Sequence, residues 1–103
     1  MNTPIQFVKE EGRDVFDDVT LYALSTCGFC KRALQFLREH KIRFRYVFVD
    51  ELDPEIKQKL KESLAAQFNQ RVGFPFVIIN DSRCVVGFTQ HEWEELFATG
   101  EKG

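Results

Sequence analysis

The chain has 103 residues, a formal net charge of −2, 44% hydrophobic residues and 29% charged residues. This balance is typical of one compact globular domain and not of a disordered chain. Acidic and basic residues are interleaved, which argues against a nucleic-acid-binding surface and against a polybasic membrane anchor. No apolar run approaches the roughly 20 residues needed to span a bilayer. We therefore expect neither nucleic acid nor membrane as a partner.

The first part of the chain is the least regular, and we separate residues 1–18, an N-terminal extension, from residues 19–103, the main domain. Ile5–Val8 favours a short edge strand and residues 10–14 a turn after it; a partner-contacting arm and a disordered tail are the alternatives. Charged residues interrupt this segment, unlike the apolar core of a secretory signal. We expect a cytoplasmic protein, and in a reducing compartment a close cysteine pair indicates redox or metal chemistry.

The main domain opens with a strand–helix–strand pattern. Val19–Leu24 is a run of strand-forming residues that is apolar enough for a buried central strand. Ser25–Cys30 forms the turn and the start of a helix that continues to about His40. Phe44–Val49 predicts the next strand. A crossover helix between two strands predicts that the strands are parallel.

The second half of the chain adds a helix, a hairpin and a last helix. Asp53 is the predicted cap of the helix and Pro54 its first residue. Phe76–Ile79 and Cys84–Val86 predict a hairpin, and Thr89 opens a capping-box pattern. The order β-α-β-α-β-β-α predicts an α/β protein. We expect a four-stranded mixed sheet flanked by helices, with the N-terminal strand as an optional addition.

A Cys-x-x-Cys motif lies where the first strand of the main domain turns into the helix. Two intervening residues in a helical turn bring the sulfurs of Cys27 and Cys30 close enough for a disulfide. The helix N-terminus favours an anion at Cys27, and thiolate is the attacking species. Cys30, one turn further in, is predicted to stay a thiol until a mixed disulfide forms and then to resolve it.

The cysteines allow two other interpretations, a metal site and a regulatory thiol. A Cys-x-x-Cys pair can be half of a zinc site, but only Cys84, His40 and His91 remain as ligands, and none has paired spacing. No metal site is predicted. Cys84 is interpreted as a small hydrophobe on the hairpin, with a regulatory thiol as the alternative. Phe29, between the two cysteines, either contacts target proteins or packs against the second helix.

The chain from about Val19 to Phe97 resembles the glutaredoxin family, and the resemblance implies the thioredoxin fold. Tyr22 and Cys27–Cys30 match the strand-end tyrosine and the Cys-x-aromatic-Cys site of that family. Gly73–Pro75 falls where the family has a Thr-Val-Pro segment, and Val86–Gly87 where it has a Gly-Gly pair.

The resemblance implies that Pro75 is cis and lies beside the active site. It also implies that backbone groups of Phe74 pair with an extended substrate like an added strand. The substrate-binding residues of this interpretation are Phe29, Phe74, Pro75, Gly87, Phe88 and Thr89.

Three departures from the family fall on the groups that bind glutathione. Leu24 stands where most members have a lysine, Thr89 and Gln90 where they have an aspartate, and Val86 where they have the first glycine of the pair. Each lost charge-assisted hydrogen bond costs roughly 1.5–3 kcal/mol. We therefore expect no permanently bound cofactor, glutathione as a co-substrate of reduced affinity, and either glutathione or thioredoxin reductase as electron donor.

The function predicted from these features is that of an enzyme, a thiol–disulfide oxidoreductase acting as a monomer. Its substrates would be disulfide-containing proteins or glutathione mixed disulfides. The alternative is a scaffold that holds a 2Fe–2S cluster through Cys27 and glutathione, as relatives with a Cys-Gly-Phe-Ser site do. Cys30 replaces that serine here, which favours the enzyme.

Overall fold

The computed structural model describes residues 5–100, which form a five-stranded sheet and three α-helices. The elements in chain order are β1 (Val8–Glu10), β2 (Val19–Ala23), α1 (Gly28–Glu39), β3 (Phe44–Phe48), a 3₁₀ turn (Val49–Glu51), α2 (Pro54–Phe68), β4 (Phe76–Ile79), β5 (Arg83–Val86) and α3 (Gln90–Gly100). The strand order is β1-β3-β2-β4-β5. The predicted α/β fold class and its order of elements are confirmed.

The central strand β2 is buried along its whole length, as its apolar sequence predicts. It runs parallel to β3, with Ala23 opposite Phe48, and antiparallel to β4. The carboxyl ends of β2 and β3 therefore lie at the same edge of the sheet. Helix α1 begins at this edge, and the 3₁₀ turn follows β3 there, so this edge positions the cysteine motif.

The N-terminal strand exists, but it lies three residues later than the sequence indicated. Val8, not Ile5, begins the strand, and Val8 pairs with Tyr46 in an antiparallel ladder with β3. Phe7 does not join the ladder; its ring packs edge-on against Tyr22 at 5.8 Å between centroids. The sheet consequently has five strands where the main domain alone would supply four. The division between residues 1–18 and 19–103 stays a prediction.

Two apolar clusters hold the helices onto the sheet. The first contains the buried face of α1 and the last helix, and its centre is aromatic: the rings of Phe36, Trp93 and Phe97 pack edge-on or tilted, with centroids within about 6 Å of one another. Trp93 is fully buried, and its indole N–H donates to the carbonyl of Gly87 at 3.1 Å. Such aromatic packing fits a chain with 11 phenylalanines.

Helix α2 begins at the predicted residue, but the side chain at its N-cap does not make the predicted hydrogen bond. Pro54 is the first helical residue, and Asp53 occupies the cap position. The Asp53 side chain makes no capping hydrogen bond, so its predicted contribution as a cap is wrong. The fixed φ of proline is the local feature that starts this helix. Among the described residues, no helix is both long and apolar enough to cross a membrane.

Candidate active site

Cys27 occupies the N-cap of α1, a position usually taken by Ser, Thr, Asp or Asn. Its Sγ accepts the backbone N–H of Cys30 at 3.2 Å, so sulfur replaces the usual capping oxygen. The thiol is half-buried, and no acidic residue lies in the first turn. An N–H donor and the positive end of the helix both favour negative charge on this sulfur.

Cys30 lies one turn into the same helix and is fully buried. Burial is the main cause that raises the pKa of its thiol from 9.0 to about 12, and the hydrogen bond with Cys27 adds to the rise. The backbone N–H of Leu24 donates to its Sγ at 3.4 Å and acts in the opposite direction. The structure thus places one accessible sulfur beside one that is kept protonated. Both cysteines are free thiols.

The Phe74–Pro75 peptide bond is cis, as the family resemblance implied. Pro75 is almost fully buried, and its carbonyl accepts the N–H of Gly87 at 2.7 Å. Gly87 has a φ of 86°, a left-handed conformation that glycine adopts without steric cost. This hydrogen bond joins the loop before β4 to the loop after β5, so the predicted substrate residues on the two loops are held together.

The aromatic residues predicted to bind substrate differ in their exposure and in the side chains that they contact. Phe29 is 57% exposed, which favours the target-contacting role over packing against α2. Phe74 is half-buried, and the ammonium of Lys61 lies 5.9 Å from its ring centroid. Phe88 packs edge-on against Trp93 at 5.0 Å, so its ring belongs to the aromatic cluster beneath α3. Thr89, which precedes α3, is exposed.

The positions that depart from the family pattern are now placed as well. Leu24 is half-buried and packs against both apolar clusters, so it supplies no polar group to a ligand. Gln90 is exposed, and its side-chain amide donates to Glu94 at 2.8 Å within α3. Val86 is 37% exposed. Lys31 is also exposed, on the first turn of α1.

Sequence reasoning missed the contact between Ser25 and Asp50. The Ser25 N–H donates to Asp50 Oδ1 at 2.8 Å, and the Ser25 hydroxyl donates to Asp50 Oδ2 at 2.5 Å. These hydrogen bonds hold the pKa of the Asp50 carboxyl below its usual value. The signal was present in the sequence, because each residue follows the end of one of two strands predicted to be parallel.

The other cysteine lies apart from this arrangement. Cys84 is half-buried on β5, burial raises the pKa of its thiol, and its Sγ lies 3.6 Å from Gln70 Oε1. Over residues 5–100, no group of three or more His, Cys, Asp or Glu side chains could hold a metal ion.

A mixed sheet of this topology, a Cys-x-x-Cys pair at a helix N-terminus and a cis-proline before β4 together define the class of thioredoxin-fold dithiol proteins. Residues 19–84 match the glutaredoxin family model, and the chain belongs to the glutaredoxin family. A search of curated proteins gives no match. Family and fold together support a thiol–disulfide oxidoreductase.

Solved structures of archaeal proteins are similar over most of the chain. The glutaredoxin of Methanosarcina mazei Go1 is 32% identical, with a TM-score of 0.74 over 90% of this chain and 88% of that one. The methanoredoxin of Methanosarcina acetivorans is 34% identical, with a TM-score of 0.68 over 78% and 83%. The glutaredoxin of Archaeoglobus fulgidus is 32% identical, with a TM-score of 0.67 over 77% and 84%.

Proposed function

We propose that the protein reduces protein or glutathione mixed disulfides, with Cys27 as attacking thiolate and Cys30 as resolving thiol. The observation that carries this proposal is the unequal setting of two thiols one helical turn apart. Cys27 is half-buried at the helix N-cap, whereas Cys30 is fully buried with its pKa raised to about 12. A nucleophile that reaches solvent and a partner that stays protonated until needed suit a two-step exchange.

Disulfide reduction takes place in two steps, each of which exchanges one sulfur–sulfur bond for another. The Cys27 thiolate attacks one sulfur of the substrate disulfide, a bond forms between the two sulfurs, and the other substrate sulfur leaves as a thiolate that water protonates. Cys30 then gives its proton to solvent and attacks Cys27 Sγ. The Cys27–Cys30 disulfide forms, and the second substrate sulfur leaves as a thiolate that water protonates. Two electrons have passed from the dithiol to the substrate, and an external reductant must return them.

The surface around the dithiol supports an extended, partly apolar substrate segment. Phe29 and Val86 are two of the large hydrophobic side chains that the structure leaves exposed. A cationic side chain lies against each of two aromatic rings. Arg32 lies 5.7 Å from the Phe29 ring centroid, and Lys61 lies close to the Phe74 ring. An extended segment that pairs with the backbone of Phe74 would meet these side chains on its way past Cys27.

The side chains at the family's glutathione-binding positions bear on which molecule returns electrons to the oxidised dithiol. Leu24 and Gln90 bring no charge to the positions where the family binds glutathione, which favours a protein reductant such as thioredoxin reductase. Lys31 and Arg71 are exposed cations that could replace part of the lost charge. Glutathione therefore stays the competing donor. The proposal also includes that the protein acts as a monomer in the cytoplasm.

The deciding experiment compares the two donors in NADPH-coupled assays with one disulfide substrate. Glutathione with glutathione reductase is used in one assay and thioredoxin reductase in the other, each with Cys27→Ser as the control. We expect turnover in at least one assay and none from the control. Activity that persists in Cys27→Ser would contradict the mechanism. No turnover in either assay, together with a brown chromophore after anaerobic reconstitution with iron and sulfide, would favour the iron–sulfur scaffold instead.

A further inference from the structure

Asp50 lies beside the dithiol because β2 and β3 run parallel and in register. Ala23 is opposite Phe48, and Ser25 and Asp50 each follow two residues later, so both leave the sheet at the same edge. Asp50 Oδ1 accepts the Ser25 N–H at 2.8 Å, and Oδ2 accepts the Ser25 hydroxyl at 2.5 Å. One carboxylate thus holds one residue at two points, with its charge strengthening both hydrogen bonds.

The segment that Asp50 holds is also the segment that contacts both cysteines. The Leu24 N–H donates to Cys30 Sγ at 3.4 Å, and the Leu24 carbonyl accepts the Cys27 N–H at 3.3 Å. The Leu24 carbonyl and the Ser25 N–H belong to one planar peptide unit. That unit is fixed at its N–H by Asp50 and at its carbonyl by Cys27.

We infer that Asp50 is a positioning residue for the resolving step, in which Cys30 attacks Cys27. By fixing the Leu24–Ser25 peptide unit, Asp50 keeps Cys27 and the Leu24 N–H at set positions relative to the Cys30 sulfur. A nucleophile held at a fixed approach reacts faster than one that must search for it. This inference rests on the proposed function and adds to it a residue that touches neither sulfur.

The charge of Asp50 and its geometry act on Cys30 in opposite directions. The negative charge is a minor cause among those that raise the pKa of Cys30, whereas the Leu24 N–H that Asp50 positions lowers it. Lys57 on α2 also faces Asp50 and favours its ionised form. Asp50→Asn removes the charge but can still accept the Ser25 N–H, whereas Asp50→Ala removes both. The two variants therefore separate charge from position.

The experiment follows both steps in one reaction with dithiobis(nitrobenzoate), which releases a coloured thiol at each step. Cys84→Ser serves as the background, so that only Cys27 and Cys30 report. The first release depends on reagent concentration, whereas the second, from attack by Cys30, does not. We expect Asp50→Ala to slow the second release about tenfold while the first changes little. Asp50→Asn should keep the second release near the rate of the background protein.

The matched control is Asp53→Ala, since Asp53 is another exposed carboxylate of the same loop and its side chain makes no capping hydrogen bond. It should change neither release. The inference is overturned if Asp50→Ala leaves the second release unchanged, slows both releases equally, or is matched by Asp50→Asn. A background protein that gives only the first release would overturn the proposed function, and the role of Asp50 with it.

Discussion

The side chain of Val86 lies over the α-carbon of Gly73. A Cβ at residue 73 would come 3.0 Å from Val86 Cγ1, closer than ordinary van der Waals contact. Gly73 stands directly before the Phe74–Pro75 cis peptide, and Val86 directly before Gly87. The glutaredoxin family has a larger residue at the first position and glycine at the second. The valine at residue 86 therefore fills the space that a side chain at residue 73 would need.

The contact between Val86 and residue 73 predicts that substitutions at these two positions have coupled effects on stability. The φ of Gly73 is outside the left-handed region, so alanine should stabilise by about 0.4–1 kcal/mol through the unfolded state where space allows. We expect Gly73→Ala to gain this in a Val86→Ala background and to lose it beside the stiff valine. A coupling of about 1 kcal/mol in a urea-unfolding double-mutant cycle would show it. Additive effects of the two substitutions would show that this contact does not couple the two positions.

The cysteine variants test the division of labour in the dithiol. Cys27→Ser should reduce disulfide turnover to the background rate, since no thiolate remains at the helix N-cap. Cys30→Ser should stop the reduction of protein disulfides but spare simple glutathione exchange, if the glutathione route operates. Mass spectrometry should find a trapped mixed disulfide on Cys27 in that variant. A mixed disulfide found on Cys84 instead would contradict the assignment.

Much of the fold could be predicted because its signals are local. The apolar run of β2 and the proline at the start of α2 each act within a few residues of their own position. The position of β1 could not be predicted in this way. The apolar residues Ile5 and Phe7 suggested a strand, but the ring of Phe7 packs against Tyr22, and the ladder begins at Val8.

In the active site too, the locally determined features could be predicted from the sequence and the long-range contact could not. The cysteine pair was predictable because a strand–helix junction determines which thiol is at the helix N-terminus. The Ser25–Asp50 contact joins residues 25 positions apart, and it depends on the register between two strands. A pattern of residues predicts that two strands are parallel, but their register follows from packing over the whole sheet.

The raised pKa of Cys30 predicts how stability depends on pH at the alkaline end. Cys30 keeps its proton in the fold up to about pH 12, whereas in the unfolded chain it ionises near its usual 9.0. The stabilising effect is therefore complete below pH 9 and is lost as pH rises through that window. Cys30→Ser should lose less stability than wild type between pH 9 and 11, measured by urea unfolding of reduced protein. Equal losses would show that Cys30 is not the group that titrates.

Phe7 connects the N-terminal extension to the core of the sheet. Its ring packs against Tyr22, and the Arg45 guanidinium lies 4.8 Å from its centroid. Because Phe7 is half-buried, Phe7→Ala should cost about 2 kcal/mol, less than the roughly 3–5 kcal/mol of a fully buried phenylalanine. Thermal unfolding would show this as a lower Tm. The disulfide exchange rate at low temperature should not change, since the ring of Phe7 packs on Tyr22 and Arg45, which lie on β2 and β3 and not on the helix that carries the cysteines.

The neighbouring Val8 provides the control, because its side chain is 48% exposed and Val8→Ala should change stability by no more than about 0.5 kcal/mol. The comparison also tests the division of the chain at residue 18. If Phe7→Ala lowers Tm and Val8→Ala does not, the packing of Phe7 ties the extension to the folded unit in addition to the β1–β3 ladder. If both variants melt like the wild type, the packing of Phe7 adds nothing measurable, and the ladder and the buried Val15 connect the extension to the domain.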